Sequence, residues 1–133
     1  MSSNWPQYLL LEQVISDRGS RYSVGLGAVK SEEDVKALLK THTSKKKYRT
    51  ATHNTWAARI NGENGVEEMK SDDGESGAGG VILNVLEGEQ VLDLAVIVTR
   101  WYGGKHLGSD RFRHVKNAAH MVLKEANEGS SDG

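Results

Sequence analysis

The residues of this chain that could do chemistry are concentrated in a glycine-rich, cationic stretch, RWYGGKHLGSDRFRHVKNAAH, from Arg100 to His120. Gly103, Gly104 and Gly108 allow positive φ or close approach of backbone to a ligand. Free N–H groups beside a helix start, with cations near, can hold a phosphate or carboxylate. Arg100, Gly103, Gly104, Lys105, Gly108, Arg111, Arg113 and Lys116 are therefore the candidate anion or nucleic-acid site. The plainer reading is a tight strand-to-helix connection with a solvated cationic face. Trp101 and Tyr102 could stack on a base or a partner, or cap the core.

A second group is His53, Asn54, Asp72, Asp73 and Glu75. Three carboxylates in SDDGESGAGG could hold a hard cation or supply an acid and a base, with His53 as general base. The spacing lacks the calcium-loop pattern, and Asp with Gly is ordinary turn chemistry. Neighbouring strand residues point to opposite faces, so His53 and Asn54 do not cooperate locally. Asn54 reads better as a hydrogen-bonded polar group in the interior. Ser76 in GESG does not follow an apolar strand, so it is no nucleophile elbow. GAGGVILN lacks the register of a dinucleotide fingerprint. These residues would line the pocket of a small hydrolase if the chain were an enzyme; the sequence favours a non-enzymatic reading without metal or cofactor.

The elements that must position these groups follow from periodicity. VLDLAVIV, Val91 to Val98, is a nearly unbroken apolar run, as a strand covered on both faces requires. Gln7 to Ile15 and Arg21 to Val29 pair as strands across SDRGS. Ser31 before Glu32, Glu33 and Asp34 starts a helix that ends near Thr43. The Lys45, Lys46, Lys47 and Arg49 run around Tyr48 follows, either a solvated loop or a docking patch for nucleic acid or an acidic partner. Ala51 to Ile60 alternates with Trp56, Ala58 and Ile60 on its core face, and NGENG turns it into Val66 to Lys70. Val81, Ile82, Val85 and Leu86 make a helical face closing at Glu87-Gly88. Phe112, Val115, Ala119, Val122 and Ala126 make another, with Arg113, Lys116, His120 and Lys124 as a cationic stripe roughly 120° round the same helix. The order predicts an α+β two-layer sandwich: a mixed, mostly antiparallel sheet with helices on one face.

With 133 residues the chain suits one core, placed at residues 1–128, and the polar end 129–133 reads as a disordered tail. A formal charge of −1 argues against indiscriminate polyanion binding but not against local patches. The chain has no cysteine, so a thiolate nucleophile, thiolate zinc site and disulfide framework are excluded. No run approaches the ~20 apolar residues of a membrane span. The start lacks a signal-peptide core, so the expected location is the cytoplasm, as a monomer.

ATHNTWAARI, DDGESGAGG and VIVTRWYGGKHLGSDRFRHVKNAA together resemble the conserved domain of the IMPACT family, related to bacterial YigZ-type proteins and to yeast Yih. The resemblance covers about Glu12 to Asn127. It lies nearer the eukaryotic branch, since AGG stands where bacterial members usually have proline and SDRFRHVKNAA replaces a glycine-richer continuation. It implies a fold similar to the second domain of small-subunit ribosomal protein five, with a left-handed β-α-β arrangement. It also implies a translation regulator that competes for the ribosome-associated activator of the general amino-acid control kinase and binds monomeric actin; RNA or the ribosome is a further candidate ligand on the physical reading of the cationic turn. The eukaryotic relatives carry an additional N-terminal RWD domain, for which this chain has no room, so a fragment or a stand-alone member is expected.

Overall fold

The computed structural model describes residues 4–131, with side chains up to residue 129. The strands are β1 (Leu9–Asp17), β2 (Ser20–Ala28), β3 (His53–Gly62), β4 (Gly65–Ser71) and β5 (Leu94–Trp101). The helices are α1 (Glu32–His42), α2 (Lys46–Arg49), α3 (Ala78–Gly88) and α4 (Asp110–Ser131). Local chemistry explains the joints. Arg18 and Gly19, both at positive φ, make the two-residue turn of the β1–β2 hairpin, as right-handed strand twist prefers. The Ser31 hydroxyl caps α1 by accepting from the Asp34 N–H at 3.1 Å.

The sheet order is β1-β2-β5-β3-β4, and every neighbouring pair is antiparallel. β2 and β3 thus run parallel to each other, and β2–α1–β3 is a crossover that steps over β5. The β4–α3–β5 connection likewise steps over β3. The steps run in opposite senses along oppositely directed strands, and their helices lie on opposite faces. The two crossovers therefore have opposite hands, and one is left-handed against the usual preference.

The main core lies between the sheet and the α3–α4 layer. Ile82, Leu86, Val115, Ala119 and Val122 pack there on Tyr22, Val24, Leu26, Ala57, Leu94, Val96 and Val98. This is the expected two-layer α+β arrangement, with an antiparallel sheet. Helices on one face describes α3 and α4 only, because α1 covers part of the other face. There Val35 and Leu38 meet Val29, Ala58, Ile60, Ala95 and Ile97. Gly25 makes room for this helix: a Cβ at that position would stand 3.0 Å from His42 Nδ1. β3 consequently buries both faces at its centre, Ala57 and Thr55 as well as Ala58 and Ile60.

Two local expectations also change. The lysine-rich segment is not only solvated loop: it forms the short α2 because Tyr48, 1% exposed, anchors it in the interior and donates to Glu12 Oε1 at 2.5 Å. At the far end α4 continues through Ser131, so residues 129–131 of the expected tail are helical, while 132–133 lie outside the described residues. Once nucleated, a helix propagates at low cost.

A polar chain crosses the α1 face of the sheet. Asn54 Nδ2 donates to the Tyr48 carbonyl at 2.9 Å, leaving Asn54 Oδ1 to accept from the Thr99 hydroxyl at 2.7 Å. Thr99 Oγ1 then accepts from His42 Nε2–H at 2.7 Å, and Tyr8 donates to His42 Nδ1 at 2.8 Å. Burial disfavours the imidazolium and lowers the His42 pKa to about 4, which makes the ring neutral with its proton on Nε2. The unfolded chain takes up this proton near pH 6.5 and the folded one only near 4, so stability present above that window is lost as pH falls through it. The loss is about 3 kcal/mol in full. Urea unfolding across pH 4–7 should show wild type losing this much more than His42→Gln; parallel curves would contradict the assignment.

Candidate functional site

At the α3 end of the sheet the loop after β4 brings its carboxylates to separate tasks. Asp72 accepts from the N–H groups of Gly77 and Gly79 at 2.9 and 2.8 Å, filling the start of α3. Those bonds hold its carboxyl below the usual carboxylate range. Thr55 donates to the Asp72 carbonyl at 2.9 Å. Asp73, at positive φ, uses its carboxylate to accept from the Asn54 N–H at 2.7 Å and its carbonyl to accept from His53 Nδ1 at 2.8 Å. Glu75 turns inward.

Glu75 is 3% exposed and Arg100, at the end of β5, is 5% exposed. Arg100 Nη1 reaches both Glu75 oxygens at 2.9 and 3.0 Å, and Nη2 donates to Ser20 Oγ at 3.3 Å. Ser20 Oγ also accepts from the Gly103 N–H at 3.2 Å, which ties in the glycine turn. The guanidinium carbon lies 5.7 Å from both the Tyr22 and Tyr102 ring centres. Arg111 Nη1 stands 3.8 Å and His53 Nε2 3.6 Å from Glu75 Oε2. The side chain of Glu75 therefore faces three cationic or cation-capable partners drawn from β3, β5 and α4.

The glycines serve this packing. Gly103 lies directly on the Gly19 backbone, where any Cβ would overlap the hairpin turn. Gly104 and Gly108 take positive φ, 92° and 58°.

Of the expected site residues, the structure unites His53, Asp73, Glu75, Arg100, Gly103 and Arg111. Asn54 joins the interior polar chain, and Asp72 is a helix cap. Arg100 is a correction: it does not contribute to an anion-binding surface, because its charge is spent on Glu75 inside the protein. Lys105 is exposed, Arg113 pairs with Asp110 at 3.2 Å, and Lys116 lies apart in a groove between α3 and α4. Sequence reasoning missed Ser20 and Tyr22, whose strand positions carry no sign of an ion pair eighty residues away. It also missed Asp17, which binds Arg18 at 3.0 Å and His114 Nε2 at 2.7 Å and is held well below the usual carboxylate range first by Arg18 and then by His114.

Chemically, the Glu75 carboxylate is charge-paired by Arg100, while Arg100 Nε and the Tyr22 hydroxyl lie buried beside it without a hydrogen-bond partner among the described residues. His53 gives Nδ1–H to a carbonyl, and its Nε2 faces a carboxylate at 3.6 Å, beyond hydrogen-bond reach and already neutralised by Arg100. No group of three or more His, Asp or Glu among the described residues could hold a metal ion. No helix among the described residues is long and apolar enough to cross a membrane.

Fold and site together define an α+β domain with split β-α-β crossovers, built around an internally compensated ion cluster. A solved structure of a hypothetical protein shares the fold, with TM-score 0.73, 24% identity, and coverage of 89% of this chain and 61% of that one. The chain belongs to the IMPACT family, since the model of the Impact N-terminal domain matches residues 18–123. It is 42% identical to Protein IMPACT of Oryctolagus cuniculus, over 88% of this chain and 38% of that protein. With the Protein IMPACT homolog of Caenorhabditis elegans it shares 39% identity, over 88% of this chain and 47% of the relative. A solved structure of the two-domain translational regulator Yih1 matches with TM-score 0.61 and 31% identity, covering 95% of this chain and 49% of that one. The chain thus spans less than half the length of these named relatives.

Because the pair is buried, removing one partner strands the other. Glu75→Leu should cost about 3–5 kcal/mol, and Glu75→Leu with Arg100→Met much less. Urea unfolding of both variants checks this; equal losses would show that the two side chains are not coupled.

Proposed function

We propose that this chain is a non-enzymatic adaptor domain of a cytoplasmic translation regulator, acting through protein partners. The observation that carries the reading is the neutralised Glu75 cluster. Where the histidine, carboxylates and arginines converge, Glu75 is paired with Arg100 inside the protein, which supports recognition at surfaces over acid–base chemistry as the work of the domain. Kinship with proteins named as IMPACT, and with the translational regulator Yih1, supports the same direction. The partners this kinship suggests are the ribosome-associated activator of the general amino-acid control kinase and monomeric actin.

The surface best suited to a protein partner is the groove between α3 and α4. Val81, Val85 and Phe112 give it an apolar floor, and Arg113 and Lys116 bring positive charge to its rim beside His120 and Glu89, in a hollow of about 500 Å³. An apolar floor with a charged rim is how protein interfaces are commonly built. Arg113→Glu with Lys116→Glu should lower recovery of the kinase activator or actin from nuclease-treated cytosolic extract about tenfold, the scale of losing about 1.4 kcal/mol. Unchanged recovery would remove this groove from the reading, and loss of every partner on nuclease treatment alone would replace it with RNA tethering.

A further inference from the structure

Two sequence features that adaptor binding leaves unused meet at the opposite edge of the glycine turn. The lysine run on α2 and the Trp101-Tyr102 pair at the end of β5 lie some fifty residues apart in the chain, yet Trp101 Nε1 donates to the Lys47 carbonyl at 3.1 Å. Lys47 Nζ sits 5.5 Å from the centre of the Trp101 ring and 3.9 Å from Glu12 Oε1, while the Trp101 ring meets Tyr48 edge-on at 5.1 Å. Arg21 is the cross-strand partner of Trp101 and is exposed. These side chains, with Gln13 and Tyr102, line a hollow of about 300 Å³.

The hollow is shaped by backbone. Between Leu11 and Ile15 the β1 register shifts, and Gln13 takes φ 51°, a bulge that bends the edge strand. Its N–H is held by Ser23 Oγ at 2.9 Å. The side-chain amide it brings to the hollow can both donate and accept, as the edge of a base requires. Tyr102 is 44% exposed, although its N–H is fixed by Thr52 Oγ1 at 2.9 Å, so the ring is presented from a rigid backbone. Aromatic faces flanked by cations form the common platform for unpaired bases and their phosphates. An acidic peptide would use Lys47 and Arg21 but gain little from the rings.

We propose that Trp101, Tyr102, Gln13, Arg21 and Lys47 form a binding site for an unpaired nucleobase of single-stranded RNA, with the two cations on the flanking phosphates. The site is separate from the α3–α4 groove and independent of the adaptor reading.

The test is fluorescence anisotropy of a labelled eight-nucleotide oligouridylate against the whole chain at low salt. Binding with quenching of tryptophan emission is expected, and quenching should disappear in Trp101→Phe. Tyr102→Ala should weaken binding about tenfold. Arg21→Glu with Lys47→Glu should weaken it at least as much and flatten its salt dependence, whereas Lys36→Glu on α1 should leave it unchanged. Near-ultraviolet circular dichroism confirms that each variant is folded. Absence of binding overturns the proposal. So does affinity insensitive to Tyr102→Ala, equal displacement by polyglutamate, or loss of binding in Arg113→Glu with Lys116→Glu instead.

Discussion

Glu75 carries a carboxylate into a region where almost none of its surface meets water, and such a charge is tolerable only beside fixed counter-charges. Arg100 supplies the main one, from the last turns of the central strand. For its guanidinium to reach inward, β5 must end beside Ser20 and Tyr22 of β2, and the chain must then leave across the Gly19 backbone. Only glycine fits at that crossing, which explains Gly103. The same carboxylate draws Arg111 and His53 toward it, fixing the first turn of α4 and the start of β3. A single buried charge thus ties the β4–α3 loop, the β1–β2 hairpin, the glycine turn and α4 together. Hydrophobic burial supplies most of the stability, while this pair fixes how the loops at one end of the sheet are arranged.

Much of this fold was legible in the sequence because local rules dominate it. The β1–β2 hairpin, α1 with its Ser31 cap, the β3–β4 turn and the apolar β5 each announce themselves within a dozen residues. What stayed hidden depends on distant partners. The alternation of β2 puts Gly25 and Gly27 on one face, yet nothing nearby says that α1 uses that gap, so its side of the sheet was not readable. Tyr48 looked like one aromatic in a basic run until the fold buried it beneath α2. The site was legible in its members and not in their roles: His53, Glu75 and Arg111 were named, but Arg100 read as a surface cation because no local pattern marks an arginine whose carboxylate lies twenty-five residues earlier.

The charge distribution follows from the same division. With a net charge near zero, recognition rests on where cations are left unspent. Arg100 is spent internally, and Arg18 on Asp17 and Asp110. Arg113 and Lys116 border the hollow between α3 and α4, and Arg21 and Lys47 the one beside Trp101 and Tyr102, with Arg113 also paired to Asp110 and Lys47 to Glu12.

The central claim is that Arg100 is committed to Glu75 and unavailable to any ligand. Nitrogen-detected NMR of the arginine side chains tests it most directly. The account predicts resolved, slowly rotating Arg100 Nη signals protected from exchange at neutral pH, unchanged when oligouridylate or a protein partner is added. A single averaged guanidinium signal that exchanges freely with water would mean that the pair opens, and would contradict the account.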